Sequence, residues 1–578
     1  MNILIIVGIG TLILIAAYFT YGKFLSTKVF ELDNSRTVPS VEMEDGVDFV
    51  PTDAKYLAGQ HFSAIAAAGP VTGPIAAGLV YGWVPTMIWI LLGTIFIGGV
   101  HDMGSLVASI RSKASGIADT MKNYVSNRVW ILFNIFIFFT LILIIVAFTD
   151  ITTSSFLNTI ELDDGSIVGG GATATSSILY LILPIIMGLL MQYTNLSLKW
   201  ATIIFLPLVG VAIWVGQYIP LNFGDKNFWN AAVIIYCIIA GIVPVWLLLQ
   251  PRGHLGGYFL YATLIVSFIG IIFGGFDTKY PALTFGSGME NAPANFWTPM
   301  FPMLFITVAC GACSGFHSLV SSGTTSKQLA KESDAKPIGY GMMLAEAVVA
   351  LIALGTVMML SPDDELVKKA PNFIYANGLG EFMATIGISK AFGISFGLMA
   401  FTTFVYDTLD VCTRLGRYIF QELSGMRNAA GRWIGTILIG GIPFLLLALP
   451  NLTTPEGKPV ALWSLFWTAF GSSNQLLAAL SLVGITVWLQ RTAKNRKAWI
   501  ATVIPAAFMF VMSTWALLRQ FFAYTIKDGA FVIPVGSNKV VPALAFIYIV
   551  LAVWVVLECI PAIVKNAKYQ DQQAVERA

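Results

Sequence analysis

The sequence predicts an all-α polytopic membrane protein with about 15 transmembrane helices. Composition gives the first reason: 57% of the 578 residues are hydrophobic and only 11% are charged, which is too apolar for a soluble domain. The second reason is that runs of about 20 apolar residues recur along the whole chain. The third is that Lys and Arg alternate between successive loops, as the positive-inside rule requires of correctly counted spans.

Hydropathy gives the order of the spans. They lie near 2–24, 61–82, 85–110, 128–149, 173–193, 199–217, 228–250, 253–275, 299–320, 339–360, 391–413, 432–450, 461–490, 497–521 and 541–563. When the loops between them are numbered in order, the odd loops hold roughly 24 of the 33 basic residues. The sequence therefore predicts a multi-pass protein with its N-terminus outside the cell and its C-terminus inside.

The second span is broken by two Gly-Pro pairs, Gly69-Pro70 and Gly73-Pro74. Proline removes a helix hydrogen bond, so a break at membrane depth has to be covered by protein or a watery cavity. Such breaks often mark substrate sites in transporters. The predicted substrate ligands here are Gly69, Pro70, Thr72, Gly73 and Pro74. The alternative is a kinked helix whose small residues allow close packing.

The seventh span offers a second break, at Gly241 and Pro244. This span comes five spans after the first broken one, so the two broken helices run in opposite directions, as an inverted repeat requires. Both breaks are predicted near the midplane, where helix N-termini would attract an anion. Gly241 and Pro244 are therefore also predicted substrate ligands. Two unrelated proline kinks are the alternative.

Ionisable residues inside apolar spans are expensive and are functional candidates. His101, Asp102, His317 and Glu346 share one predicted depth in spans three, nine and ten, which predicts a proton relay. Hydrogen bonding between helices without titration, or a metal site, are the alternatives. Hydroxyls that include Ser314 and Ser318 could instead coordinate sodium, or they could cap a helix end.

Other polar residues receive structural interpretations. Asp410 and Arg414 have the i,i+4 spacing of a helix ion pair, and Asn474-Gln475 is predicted to bond neighbouring helices. The five cysteines are interpreted as small buried residues. The sequence lacks a Walker A motif and a dinucleotide fingerprint, so we expect neither ATP-driven pumping nor a cofactor, and no nucleic-acid partner.

Several motifs resemble the carbon starvation protein A family. They lie in order along nearly the whole chain: Asp48 to Pro74, Val245-Trp246-Leu247-Leu248-Leu249-Gln250-Pro251-Arg252, Cys310 to Thr325, Thr408 to Arg417, and Ser473 to Ala478. The resemblance implies a bacterial inner-membrane transporter of peptides or, in one branch, a proton-coupled pyruvate importer. It also implies the amino acid–polyamine–organocation superfamily and a LeuT-like five-plus-five inverted repeat, with spans two to eleven as its core and extra helices at both ends.

The predicted segments are an N-terminal helix and loop (1–60), a first repeat (61–227), a second repeat (228–425) and C-terminal accessory helices (426–578). The predicted function is uptake of a carboxylate-bearing nutrient, either short peptides or pyruvate, in carbon starvation. Coupling is predicted to a proton rather than sodium, with alternating access across the lipid bilayer. The alternatives are a membrane sensor or scaffold without turnover and a channel. An enzyme is not expected, since the sequence shows no recognisable combination of a nucleophile and a general base.

Overall fold

The computed structural model describes residues 1–46, 49–66, 68–162, 165–194, 196–244, 246–284, 300–449, 453, 462–527, 529–534 and 536–577. Asp48, Ala67 and Val245 of the family motifs lie outside these residues. Thirteen described helices are long and apolar enough to cross a membrane, and a bent helix pair raises this to as many as 14. The chain is thus a multi-pass helical membrane protein, as predicted.

Twenty helices follow one another along the described parts of the chain. They are α1 (Ile3–Val29), α2 (Pro39–Glu42), α3 (Ala54–Ile65), α4 (Gly69–Tyr81), α5 (Trp83–Ile110), α6 (Ile117–Tyr124), α7 (Asn127–Leu157), α8 (Gly171–Thr194), α9 (Leu198–Tyr218), α10 (Lys226–Ile242), α11 (Leu249–Gly274), α12 (Met300–Val308), α13 (Phe316–Gly323), α14 (Met342–Met358), α15 (Pro371–Thr385), α16 (Lys390–Ser424), α17 (Ala429–Leu447), α18 (Leu462–Thr492), α19 (Ile500–Thr525) and α20 (Val540–Arg577). Two small hairpins pair β1 (Thr159–Glu161) with β2 (Ile167–Gly169) and β3 (Ile526–Lys527) with β4 (Ala530–Phe531).

Helix ends meet on two faces of the molecule. On one face, Arg111 at the end of α5 bonds the carbonyl of Phe30 and the carboxylate of Glu332, while Asn495 bonds the carbonyl of Lys28. We call this the basic face. On the opposite face, the backbone N–H of Ile3 donates to the carbonyl of Phe276. Lys28, Arg111, Glu332 and Asn495 belong to four of the loops that the sequence predicts to be rich in Lys and Arg, so these four loops lie on one side.

The second span is broken as predicted. Helix α3 ends at Ile65, helix α4 begins at Gly69, and their axes differ by 46°. Pro70 lies in the first turn of α4, where its missing N–H costs no helix hydrogen bond. Pro74 follows inside the helix. The first Gly-Pro pair therefore starts a new helix, and only the second lies within one.

A second broken span is formed by α12 and α13. The helix ends at Val308, passes through a single 3-10 turn at Ala309–Gly311, and restarts at Phe316. The sequence marks this break only by small residues, because Gly311, Ala312 and Gly315 replace the prolines of the first break.

The prediction that Gly241 and Pro244 break a single span is wrong, because they lie at the end of a helix. Helix α10 ends at Ile242, and α11 begins at Leu249 and runs back across the protein. The guanidinium of Arg414 bonds the carbonyls of Ala240 and Val243 at this helix end. Proline at position 244 cannot continue the helix, so it terminates a span near the basic face and does not interrupt one at mid-membrane.

Candidate ion-coupling and substrate site

The two broken spans cross with their backbones in close contact. A Cβ added at Gly73 would lie 2.2 Å from the carbonyl oxygen of Val308, and one added at Gly69 would lie 2.3 Å from the Cβ of Cys310. Only glycine allows helices to approach this closely. The absence of a side chain at these two glycines therefore allows the two breaks to pack against each other.

Helix α18 holds the unwound segment of the second broken span. The Asn474 side chain accepts from the N–H of Phe316 at 3.0 Å, and Gln475 donates to the carbonyl of Cys313 at 2.6 Å. Both amides are fully buried. They satisfy backbone groups that the break frees, which is essential where water is excluded. The predicted role of Asn474-Gln475 in bonding neighbouring helices is thus confirmed.

A cluster of histidines and carboxylates lies beside this crossing. Asp102 on α5 accepts from both neighbours: its Oδ1 lies 2.7 Å from Nδ1 of His101, and its Oδ2 lies 2.8 Å from Nδ1 of His317 on α13. The other nitrogen of His317 lies 3.5 Å from Oε2 of Glu346 on α14. All four side chains are completely buried. The four residues that share one predicted depth therefore also lie side by side.

Glu346 is the least satisfied member of this His–carboxylate cluster. Neither of its oxygens accepts a hydrogen bond from any residue that the structure describes. A buried carboxylate without such bonds is strongly disfavoured as an anion. A proton bound to Glu346 would therefore remove a large electrostatic free-energy cost of burying this carboxylate.

A second buried ionic cluster lies where α11 meets α16. Arg252 donates from Nε to Oδ1 of Asp407 at 2.9 Å, and its Nη1 lies 2.6 Å from Oδ2 of Asp410. Tyr236 on α10 donates to the same oxygen of Asp410 at 2.9 Å and also accepts from Arg252. Ser63 on α3 donates to Oδ2 of Asp407 at 2.9 Å. We call this the Arg252 cluster.

Helix α3 touches both clusters just before its end. Ser63 bonds the Arg252 cluster, whereas the carbonyl of Ile65 faces the ring of His317. His61 lies one turn earlier, and its Nδ1 is 2.8 Å from Oγ1 of Thr325. A movement of α3 would thus disturb the two clusters together.

A cavity of about 1110 Å³ opens on the basic face. We call it the vestibule. It runs between α3, α6, α11, α13 and α16, and its lining includes the polar or charged side chains of Asp53, Lys55, His254, Arg414 and Glu422. Among its lining residues on α3, Gly59 and Gln60 are the nearest in sequence to the break in α3–α4. The described residues between this cavity and the break are buried, so the break is closed to the vestibule.

The structure brings some of the predicted substrate ligands together and separates others. Gly69, Pro70, Thr72, Gly73 and Pro74 lie in the first turns of α4 and are all buried. The hydroxyl of Thr72 has no hydrogen-bond partner among the described residues.

Gly241 and Pro244 do not join this group. A Cβ at Gly241 would meet Thr413 and Thr436 on α16 and α17. The structure therefore does not bring them to the crossing of the broken spans.

The two predicted serine ligands point toward α18. Ser314 bonds the side chain of Asn474, and Ser318 bonds its own helix and Ser481. Their hydroxyls are therefore engaged in packing between helices and are not directed at the His–carboxylate cluster.

Sequence reasoning missed the partner of the two aspartates on α16. The predicted pair between Asp410 and Arg414 does not form, because Arg414 caps α10. Hydropathy assigns Arg252 to a loop, but it lies inside α11 and is completely buried. An Arg that follows Pro251 near a span boundary carries no local signal of burial.

Comparison with known proteins gives consistent matches. A profile of the family described as "Carbon starvation protein CstA" matches residues 2–375 and 364–516. A protein named "Peptide transporter CstA" from Bacillus subtilis (strain 168) is 30% identical over 607 residues, covering 96% of this chain and 97% of the relative. The "Pyruvate/proton symporter BtsT" of Escherichia coli (strain K12) is 28% identical over 605 residues, covering 89% and 81%.

Two solved structures are more distant. A manganese transporter from Eremococcus coleocola superposes with a TM-score of 0.45 at 11% identity, covering 90% of this chain and 99% of that one. MhsT in complex with L-phenylalanine gives a TM-score of 0.44 at 14% identity, covering 79% of this chain and 98% of that one.

Proposed function

Because this chain belongs to the carbon starvation protein CstA family, we propose that it is a secondary transporter that imports a small carboxylate-bearing nutrient. The relatives named above suggest two substrate classes, peptides and pyruvate, and both carry a carboxylate. The transport cycle is alternating access. The observation that carries the proposal is the crossing of two broken helices beside a fully buried His–carboxylate cluster.

We further propose an inverted repeat that pairs the α3–α4 span with the α12–α13 span. The following pairs are then α5 with α14, α7 with α16, α10 with α17, and α11 with α18. Helices α7 and α16 pack on each other, as do α10 and α17, and the short helices α6 and α15 occupy equivalent places. In this arrangement α8–α9 is an inserted hairpin. The repeats would run from 54 to 274 and from 300 to 492, which replaces the boundaries 61–227 and 228–425.

The proposed substrate site is the first turn of α4. Its backbone N–H groups and partial positive charge suit a carboxylate, and the unpartnered hydroxyl of Thr72 offers one further bond. The vestibule would connect this site to the cytoplasm once α3 moves.

Substitution of Thr72 tests this site. Thr72→Val keeps the shape but removes the hydroxyl, so we expect the KM for uptake to rise about 10-fold or more, with unchanged protein level. Thr140→Val is the matched control, because Thr140 is also a buried helical threonine but its hydroxyl already donates to the carbonyl of Phe136 in its own helix. Equal KM values in wild type and Thr72→Val would contradict the proposed site.

The proposed coupling ion is the proton, and the His–carboxylate cluster binds it. Histidine can bind a proton at a ring nitrogen, and the ring nitrogens of His317 lie beside the carboxylates of Asp102 and Glu346. A proton on this cluster relieves the burial of unbalanced negative charge. We propose the bacterial inner membrane as the location, with the basic face toward the cytoplasm.

Glu346→Gln in proteoliposomes tests the coupling. We expect uptake of labelled pyruvate or a labelled dipeptide driven by a pH gradient to be lost, while exchange of internal for external substrate continues. Glu381→Gln is the control, since Glu381 forms a partly exposed pair with Lys390. Equal loss of uptake and exchange in Glu346→Gln would indicate a packing role instead. Accumulation driven only by a sodium gradient would replace the proton by sodium.

A further inference from the structure

The Arg252 cluster is unbalanced in charge. It holds two carboxylates, Asp407 and Asp410, but one guanidinium. The groups that face it from the surrounding helices are uncharged at neutral pH: Tyr236 and Cys237 on α10, Tyr180 on α8, Ser63 on α3 and Tyr406 on α16. The next cation, Arg414, bonds two backbone carbonyls of α10. Arg252 and the two ionised carboxylates would therefore carry one net negative charge among themselves, and Arg414 acts on Asp410 only through space.

The hydrogen bonds identify where a proton could bind. Both oxygens of Asp407 are engaged, one by Arg252 and the other by Ser63. Oδ2 of Asp410 forms an ion pair with Arg252 and accepts a hydrogen bond from Tyr236. Oδ1 of Asp410 is buried and has no hydrogen-bond partner among the residues described. Unpartnered buried carboxylate oxygens are rare in native structures and require an explanation.

We propose that Asp410 is a second proton-binding site, separate from the His–carboxylate cluster, and that each transport cycle carries two protons. The inference rests on the proposed transport function and adds a stoichiometry to it. A proton on Oδ1 of Asp410 leaves Arg252 balanced by Asp407 alone.

The vestibule gives this site access to the basic face. Pro251 and Gly253, the neighbours of Arg252, line the cavity, and so do Val411 and Arg414 beyond Asp410. An ionised, negative cluster is stabilised by nearby water, so it favours an open vestibule. A neutral cluster tolerates dehydration, so protonation favours closure. Ser63 transmits the change, because it joins Asp407 to the broken span through α3.

The test measures the proton-to-substrate ratio from reversal potentials in proteoliposomes. We expect the ratio to be two in wild type and one in Asp410→Asn, whose amide mimics the protonated acid, while Asp410→Glu retains two. Asp150→Asn is the control, since Asp150 is an equally buried carboxylate with its own partner, Lys226, and its ratio should stay at two. An unchanged ratio in an active Asp410→Asn protein would overturn the second site.

A measurement on the wild-type protein covers the case in which Asp410→Asn does not fold. Proton uptake by the purified transporter on addition of saturating pyruvate or dipeptide should approach two per bound substrate in weakly buffered solution. A value of one would overturn the second site but leave proton coupling intact. Absence of coupled uptake in the vesicles would overturn both this inference and the proposed function.

Discussion

Buried charges dominate the chemistry at the scale of single residues. Asp102, His317 and Glu346 could be found from the sequence because each interrupts an apolar span, and ionisable groups there are conspicuous. Arg252 could not be found in this way. It lies three residues after the start of α11, where a basic residue is normally a membrane-edge anchor. Its burial depends on aspartates some 155 positions later in the chain.

Replacement of Arg252 should be costly. Arg252→Leu leaves two buried carboxylates without their cation, so we expect a loss of about 3–5 kcal/mol in stability. The measurement is the Tm of the detergent-purified protein. Arg36→Leu is the control, because its partner Glu332 retains Arg111 at 2.5 Å, and it should change stability by no more than about 1 kcal/mol. A wild-type Tm for Arg252→Leu would contradict the ionic network described for this cluster.

At the scale of helices, the two breaks differ in how well sequence reveals them. The first carries two Gly-Pro pairs, and the sequence predicts it at the correct place. The second carries only small residues between α12 and α13, and its unwound conformation depends on side chains of α18. The sequence of α12 and α13 alone therefore does not predict this break. Conversely, Pro244 indicates a break but only ends a helix.

The helix crossing leads to a prediction about glycine. Gly73→Ala would place a methyl group against the carbonyl of Val308, so we expect a loss of about 1–3 kcal/mol and a lower Tm. Gly210→Ala on α9 is the matched control, since its added Cβ would have no described atom within 4 Å beyond its chain neighbours and the backbone of its own helix. It should be neutral or slightly stabilising, because Ala favours helix over Gly. Similar Tm changes in the two variants would argue against a tight crossing.

At the scale of the whole molecule, the vestibule of about 1110 Å³ opens on the basic face. The multi-pass character and the gathering of basic loops could be predicted from hydropathy and charge. The pairing of repeats that we propose could not be predicted, because it treats α8–α9 as an inserted hairpin and α15 as a short connecting helix, and neither has a distinctive sequence signal.

Thiol labelling tests the orientation of the protein in the membrane and the side of the membrane to which the vestibule opens. Tyr56→Cys lines the vestibule, and Ser361→Cys is exposed on the opposite face, while the five native cysteines are buried. We expect a membrane-impermeant maleimide to label Tyr56→Cys only in inside-out vesicles and Ser361→Cys only in right-side-out vesicles. Saturating substrate with an acidic exterior should slow labelling of Tyr56→Cys. The reverse pattern of labelling would invert the proposed topology.

The amide pair of α18 has a consequence for how short a working chain can be. Helix α18 follows the span that the family resemblance takes as the end of the core, so that resemblance alone would make it dispensable. A protein truncated after Ser424 would keep both breaks but lose Asn474 and Gln475, leaving the N–H of Phe316 and the carbonyl of Cys313 unsatisfied. Such a fragment should be degraded rather than inserted stably, whereas one ending after Thr492 retains these contacts. The smallest self-sufficient unit of this chain would thus end after α18.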